Sequence, residues 1–194
     1  MKRIIKNILN IFCMVLVFPC AFTVWIEKYL AQSKETIFAF WAHFFAVLPG
    51  LPGVFLRRAF YRLVLDKCSL SCYIGFGSVF THRQVIVEDN VSIGLYAVIG
   101  SANIGKNCEI ASRVSIVSGK TQHLKDKDGQ WTPFDQSRIK QVIISPNVWI
   151  GEGAIVMADI GEGSLIGAGA VVTREIPSNM VAAGNPAKVL RALS

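Results

Sequence analysis

At 194 residues the chain is one modest domain or a small domain with an appendage. Its net charge of +7 is unevenly placed: through Arg62 there are eight basic residues (Lys2, Arg3, Lys6, Lys28, Lys34, Arg57, Arg58 and Arg62) against two acidic ones (Glu27 and Glu35). The remainder is nearly neutral and has no basic stripe with interleaved aromatics, which argues against a nucleic-acid partner; five cysteines, an odd number without paired metal-ligand spacing, argue for a reduced compartment.

Two uncharged apolar windows open the chain, Asn7 to Ile26 and Thr36 to Leu56. Crossing a bilayer takes roughly 20 apolar residues, so the first is long enough, although Asn10 and Pro19 interrupt it. The second is helical in pattern only to about Leu48, where "LPGLPG" brings two prolines and two glycines. About thirteen helical residues reach only ~20 Å. The pattern predicts a hairpin or re-entrant pair that enters and leaves on one side. "VFLRRAFYRLVL" (Val54 to Leu65) follows as an interfacial helix whose arginines snorkel to water. A cleaved signal peptide is the competing reading, but no small-x-small cleavage site follows the apolar centre and Pro19 directly precedes Cys20. Residues 1–66 are thus expected to form a membrane-associated helical region, bracketed by cations that an anionic leaflet attracts.

From about Lys67 onward an aliphatic residue followed by Gly, Ala or Glu returns every six residues. "VSIGLYAV", "IGKNCE" and "IASRVS" carry the pattern upstream, and "IGEGAI", "IGEGSL" and "IGAGAV" near the C-terminus. This period is the signature of a parallel β-helix, each hexad giving one short strand with its aliphatic residue inward and Gly or Asn at the corner. Cys68 and Cys72 fit best as small buried hydrophobes within it. The repeat is clipped at Ile99 to Ile104 and at "VMAD" (Val156 to Asp159), which predicts tight corners. Between residues 120 and 142 it lapses into a polar excursion containing His123 and Trp131, and so long an excursion inside a compact domain is usually functional or disordered.

The stretch from about Ile93 to Ser194 resembles the hexapeptide-repeat acyltransferases, in particular the galactoside, maltose and polysaccharide O-acetyltransferase branch. The features that carry the resemblance are "NVWIG" (Asn147 to Gly151), "IGAGAVVTREIP" (Ile166 to Pro177), "AAGNPAKVLR" (Ala182 to Arg191) and a histidine on a loop before them. It implies a mainly β fold, a left-handed parallel β-helix over residues 67–194 with a loop at 120–142 and a short C-terminal helix, preceded by the hydrophobic and amphipathic N-terminal helices. It also implies a homotrimer with acetyl-CoA as co-substrate between neighbouring prisms and no metal.

Within that resemblance His123 is the general base that takes the proton from the acceptor hydroxyl. An imidazole suits the task because its unperturbed pKa of about 6.5 leaves it mostly neutral at cytosolic pH. Glu152 and Ala168 fall where the family meets the coenzyme, Thr173 and Arg174 match the pair after the last full hexads, and Lys188 and Arg191 match positions that meet its phosphates. Tyr96 and Trp131 are weak candidates for the acceptor side, and Trp149 is expected to cap the core. His82 is expected to be a structural or rim residue and His43 an interfacial one.

The expected function is an O-acetyltransferase anchored to a bacterial inner membrane, its catalytic domain facing the cytoplasm, modifying a surface glycan or lipid-linked sugar. N-acetylation of a nucleotide-linked amino sugar is the main rival, and a noncatalytic β-helix scaffold a remote one. A γ-class carbonic anhydrase would need three histidines converging on zinc, and His43 of the three present lies in the apolar segment.

Overall fold

The structure is a computed structural model describing residues 2–31, 34–118, 123–133, 135 and 138–193, the side chains of residues 2–4 excepted. Three helices come first: α1 (Lys2–Leu30), α2 (Thr36–Ala46) and α3 (Gly50–Val64). The break between α2 and α3 falls where "LPGLPG" begins; Pro52 is tolerated because it lies in the first turn of α3, where N–H groups lack intrahelical partners.

A β-solenoid of parallel sheets follows. Its first coil holds β1 (Lys67–Cys68), β2 (Tyr73–Ile74) and β3 (Val79–Phe80); the second β4 (Val85–Val87), β5 (Ser92–Ile93) and β6 (Val98–Ile99); the third β7 (Ala102–Ile104), β8 (Glu109–Ile110) and β9 (Ser115–Ile116). After the excursion, the fourth coil holds β10 (Val142–Ile144), β11 (Trp149–Ile150) and β12 (Ile155–Val156), and the fifth β13 (Leu165–Ile166) and β14 (Val171–Val172). Then β15 (Met180–Ala183) pairs antiparallel with β16 (Lys188–Ala192). The strands stack into three faces: A (β1, β4, β7, β10), B (β2, β5, β8, β11, β13, β15, β16) and C (β3, β6, β9, β12, β14).

The second residue of each two-residue strand is buried, so Ile74, Ile93, Ile110, Ile150 and Ile166 line one inner wall. The outward first residue explains one departure from expectation. Trp149 does not cap the core; Ile150 takes the inward position and the indole is left 56% exposed. Residues 188–192 likewise form β16 rather than a short C-terminal helix, because pairing with β15 outweighs helix propensity.

The arginines of α3 also differ from expectation. Arg57 and Arg58 do not snorkel; they are 1% and 5% exposed. On faces B and C alternate backbone groups bond to the next coil and to the preceding one, as in Tyr73 N to Val91 O and Val79 N to Ala97 O in the forward direction. The first coil therefore has carbonyls with no preceding coil to donate to them. Arg57 Nε donates to Ile74 O at 3.1 Å, Arg58 Nη1 to Cys72 O at 3.2 Å and Arg62 Nη1 to Cys68 O at 3.4 Å. Buried carbonyls need donors, and three arginines at helical spacing provide them.

Candidate active site

The corners of the prism set the geometry of the site. Where face A turns into face B, Asn90, Asn107 and Asn147 have φ of 59°, 59° and 57°, and their amides form a ladder, Asn90 to Asn107 and Asn107 to Asn147, at 3.2 Å each. Where B turns into C the equivalent positions are Gly77, Tyr96, Arg113, Gly153 and Gly169, all with positive φ. Glycine accepts this conformation at little cost, whereas Tyr96 and Arg113 carry strain.

The excursion leaves the solenoid where face C turns into face A, after Ser118. Residues 119–122, 134, 136 and 137 lie outside the described residues. Residues 124–132 double back as a small hairpin: Thr132 N donates to Leu124 O at 2.7 Å and Asp126 N to Gln130 O at 2.9 Å. The Asp126 carboxylate accepts from the N–H groups of Asp128 and Gln130 at 3.0 and 2.8 Å, tightening the turn. Lys125 lies over the exposed Trp131 ring, 5.4 Å from its centroid.

His123 stands exposed at the root of this hairpin with Nδ1 3.0 Å from Thr132 O. A carbonyl can only accept, so Nδ1 carries the proton and the neutral ring keeps its basic lone pair on Nε2. Thr132 is a residue that sequence reasoning missed. Its hydroxyl also meets Leu124 N at 3.0 Å and Arg138 Nη1 at 3.1 Å, so it ties the histidine, the hairpin and the returning strand together. No repeat or motif marks it, because it matters only once the loop has doubled back.

The residues expected to hold coenzyme divide between two edges and the terminal strand. Glu152 and Ala168 are exposed on the B–C edge in the fourth and fifth coils, and Glu152 is ion-paired with Arg113 one coil earlier. Thr173, half-buried, and Arg174, exposed, lie on the C–A edge, the edge from which the His123 loop departs. Lys188 and Arg191 are exposed on β16, at the far end from the helices. Tyr96 is on the B–C edge, its ring packed edge-on to Phe76 at 5.6 Å. Within one chain the structure thus brings His123, Thr173 and Arg174 to one edge and Tyr96, Glu152 and Ala168 to another, with face C between them.

His82 is occupied elsewhere. Its Nδ1 is 2.7 Å from Glu35 Oε2, and the same carboxylate accepts from Arg83 N at 2.9 Å. Burial pushes the Glu35 pKa up, but these contacts outweigh it and hold the carboxyl below its ordinary range. The cluster fastens the connection between α1 and α2 to the first coil. His43 is exposed on the last turn of α2.

The pattern of a family described as "Hexapeptide repeat of succinyl-transferase" matches residues 84–116 and 141–174, the second to fifth coils on either side of the excursion. A protein of Escherichia coli K12 bearing the name of a lipopolysaccharide biosynthesis O-acetyl transferase, WbbJ, is 34% identical over 168 residues, covering 71% of this chain and 84% of its own. A solved maltose O-acetyltransferase from Clostridium difficile 630 shares the fold, with a TM-score of 0.70 and 23% identity over 87% of this chain and 91% of that one. A galactoside acetyltransferase solved in complex with coenzyme A gives 0.52 and 24% over 82% and 81%. The six-residue repeat, the solenoid it builds and the extent of the E. coli match lead to one family: the chain belongs to the hexapeptide-repeat acyltransferases, enzymes that draw their acyl group from coenzyme A.

Proposed function

We infer that the chain transfers acetyl from acetyl-CoA to a hydroxyl of a surface or lipid-linked glycan, as in polysaccharide or lipopolysaccharide biosynthesis, at the cytoplasmic face of an inner membrane. The observation that carries the catalytic part is the His123–Thr132 contact, which orients the ring and leaves its lone pair on Nε2. Nε2 takes the hydroxyl proton as the acceptor oxygen bonds to the thioester carbonyl carbon. The tetrahedral intermediate then expels the coenzyme thiolate, which takes that proton from the imidazolium, leaving an acetyl ester and free CoA. General base catalysis of this kind contributes about 10²–10⁴-fold.

A homotrimer unites the divided site by setting the His123 edge of one copy against the Glu152 and Ala168 edge of its neighbour. The thioester end of the coenzyme then lies at the level of the third coil and its phosphates reach toward Lys188 and Arg191, a point charge and a bidentate donor. The glycan acceptor is supported by the name of the E. coli relative, and the membrane by the apolar α1.

The test is release of free CoA from acetyl-CoA by wild type and His123→Ala, with a cell-envelope glycan fraction as acceptor. Acceptor-dependent release that falls about 10²-fold or more in the variant is the expected result. Unchanged release with coenzyme still bound removes His123 from the chemistry.

A further inference from the structure

The helices carry an apolar surface that acyl transfer leaves without a role. Along α1, Asn10, Cys13, Val17, Ala21, Val24 and Glu27 are buried, one every third or fourth residue. Ile8, Phe12, Val15, Phe18 and Phe22 face outward, each at least 48% exposed. The surface continues over Phe40 and Phe44 of α2 and Leu51 of α3, at 61%, 46% and 74%. A groove of about 360 Å³ between α1 and α3 opens among Leu9, Phe12, Leu16, Leu51 and Phe55. Soluble monomers rarely expose apolar patches beyond a few hundred Å².

By length alone α1 is able to cross a bilayer, since the apolar span Ile5–Leu30 holds 26 residues, about 39 Å of helix. Its polar contacts argue for another course. Asn10 Oδ1 accepts from Arg58, Trp25 Nε1 donates to Leu63 O at 2.9 Å, and Glu27 accepts from Ile37 N and Phe38 N at 2.7 and 3.1 Å. Glu27 also faces Arg83, where face C of the first coil turns into face A, at 3.6 Å. From residue 10 to residue 27 is roughly 26 Å of helix. A transmembrane course would draw Arg58, Arg83 and the first coil into a hydrocarbon core about 30 Å thick, where each charged side chain costs about 2.5–3.5 kcal/mol or more. The same contacts argue against a removable leader, since Glu27 supplies the cap of α2.

The charges identify the partner. Both acids of this region turn inward, Glu27 to the α2 N-terminus and Glu35 to His82 and Arg83. Lys28 on the last turn of α1 and Lys34 in the connection to α2 are exposed, while Lys6 shares a polar pocket with Asp89 of the second coil. A second copy of the chain would bring like charges together; anionic lipid would not. We propose that α1 lies in the plane of one leaflet of an anionic bilayer, its outward residues among the acyl chains and the solenoid on the aqueous side. The His123 loop leaves the edge that carries the Glu35 cluster, two coil steps of ~4.8 Å above it, and one helix layer adds ~10 Å. The loop stands on the order of 20 Å above the lipid, within reach of a short saccharide on a lipid carrier, a consequence that rests on the function proposed above.

The experiment is flotation of the full chain with vesicles of phosphatidylcholine, with or without phosphatidylglycerol, for wild type and a Phe12→Glu/Phe18→Glu variant. Both changes are on the outward face, and unaltered circular dichroism and coenzyme binding report an intact fold. Wild type is expected to float with the anionic vesicles, weakly at high salt, and the variant at least about tenfold less. Protease added outside sealed vesicles is expected to remove a tag placed before Met1. Equal flotation of the variant, a protected tag, or self-association without lipid binding overturns the proposal. Acetyl transfer to a water-soluble acceptor separates the two readings: its retention in a variant that no longer floats leaves catalysis standing, and its absence from wild type that floats leaves only the docking.

Discussion

Replacing Arg57 with methionine keeps most of the side-chain volume and removes the donors that join α2, α3 and the first coil. The guanidinium is 1% exposed; Nη1 meets Phe45 O, Ala46 O and Leu48 O at 3.1, 3.3 and 2.7 Å, and Nε meets Ile74 O at 3.1 Å. Two of these carbonyls keep another donor, Ala46 O from Gly77 N at 2.8 Å and Phe45 O from Leu48 N at 3.4 Å. Leu48 O and Ile74 O lose the donor recorded for them, and a buried acceptor left unsatisfied costs about 1–3 kcal/mol. Relief from burying a cation offsets part of that, so Arg57→Met is expected to lose about 2–4 kcal/mol. Against a typical domain stability of about 5–15 kcal/mol this is large but survivable. Hydrogen exchange should show the loss first in α2, α3 and β2, with the coils beyond the excursion protected as in wild type. A variant unfolding within about 0.5 kcal/mol of wild type would refute the view that α3 caps the open end of the solenoid.

Gly100 sits at the clipped corner beneath the excursion, where an added Cβ would lie 2.3 Å from Ser118 Oγ and 2.8 Å from Ile116 O. Gly100→Ala is expected to cost about 1–3 kcal/mol and to lower turnover by shifting the root of the His123 loop, read by thermal unfolding and CoA release together. Because the Glu35 carboxyl is held below its ordinary value, its contribution is complete above about pH 4.3 and disappears as pH falls through the lower folded pKa. Denaturant titrations below about pH 4 should show that loss in wild type and not in Glu35→Gln. Burial pushes the Cys108 thiol up to about 11, so iodoacetamide at pH 8 should label it only after unfolding, as peptide mass spectrometry would reveal.

The solenoid was legible because its code is local: an inward aliphatic residue and a left-handed corner every six positions need no knowledge of distant contacts. The break after α2 was legible for the same reason. Arg57 and Arg58 were not, since their inward turn answers carbonyls of strands that come later in the chain, and a helix read in isolation puts charges outward. The short C-terminal helix expected of this region is absent from Lys188–Ala192, where only the presence of β15 beside the segment makes a strand. His123 was found through the motifs downstream of it, whereas Thr132, which orients it, follows no pattern at all.

The two ends of the prism differ in what covers their open backbone edges. Alternate residues of a parallel strand turn their backbone groups to opposite neighbours, so the carbonyls of Cys72 and Ile74 face out of the first coil and β15 would be an open edge beyond the fifth. Carbonyls call for cationic donors, and these come on a helix whose own packing brings α1 and its apolar outer face to that end. At the other end the antiparallel strand β16 pairs with β15 and leaves Lys188 and Arg191 exposed. Between the ends each coil adds ~4.8 Å, so the number of coils fixes both the height of His123 above the helices and its separation from the cations of β16. Inserting one whole coil in the fourth or fifth position would preserve every local contact and still move Lys188 and Arg191, the proposed phosphate contacts, a full step from His123, the proposed base. The coil number is therefore part of the proposed site, and not only of the fold.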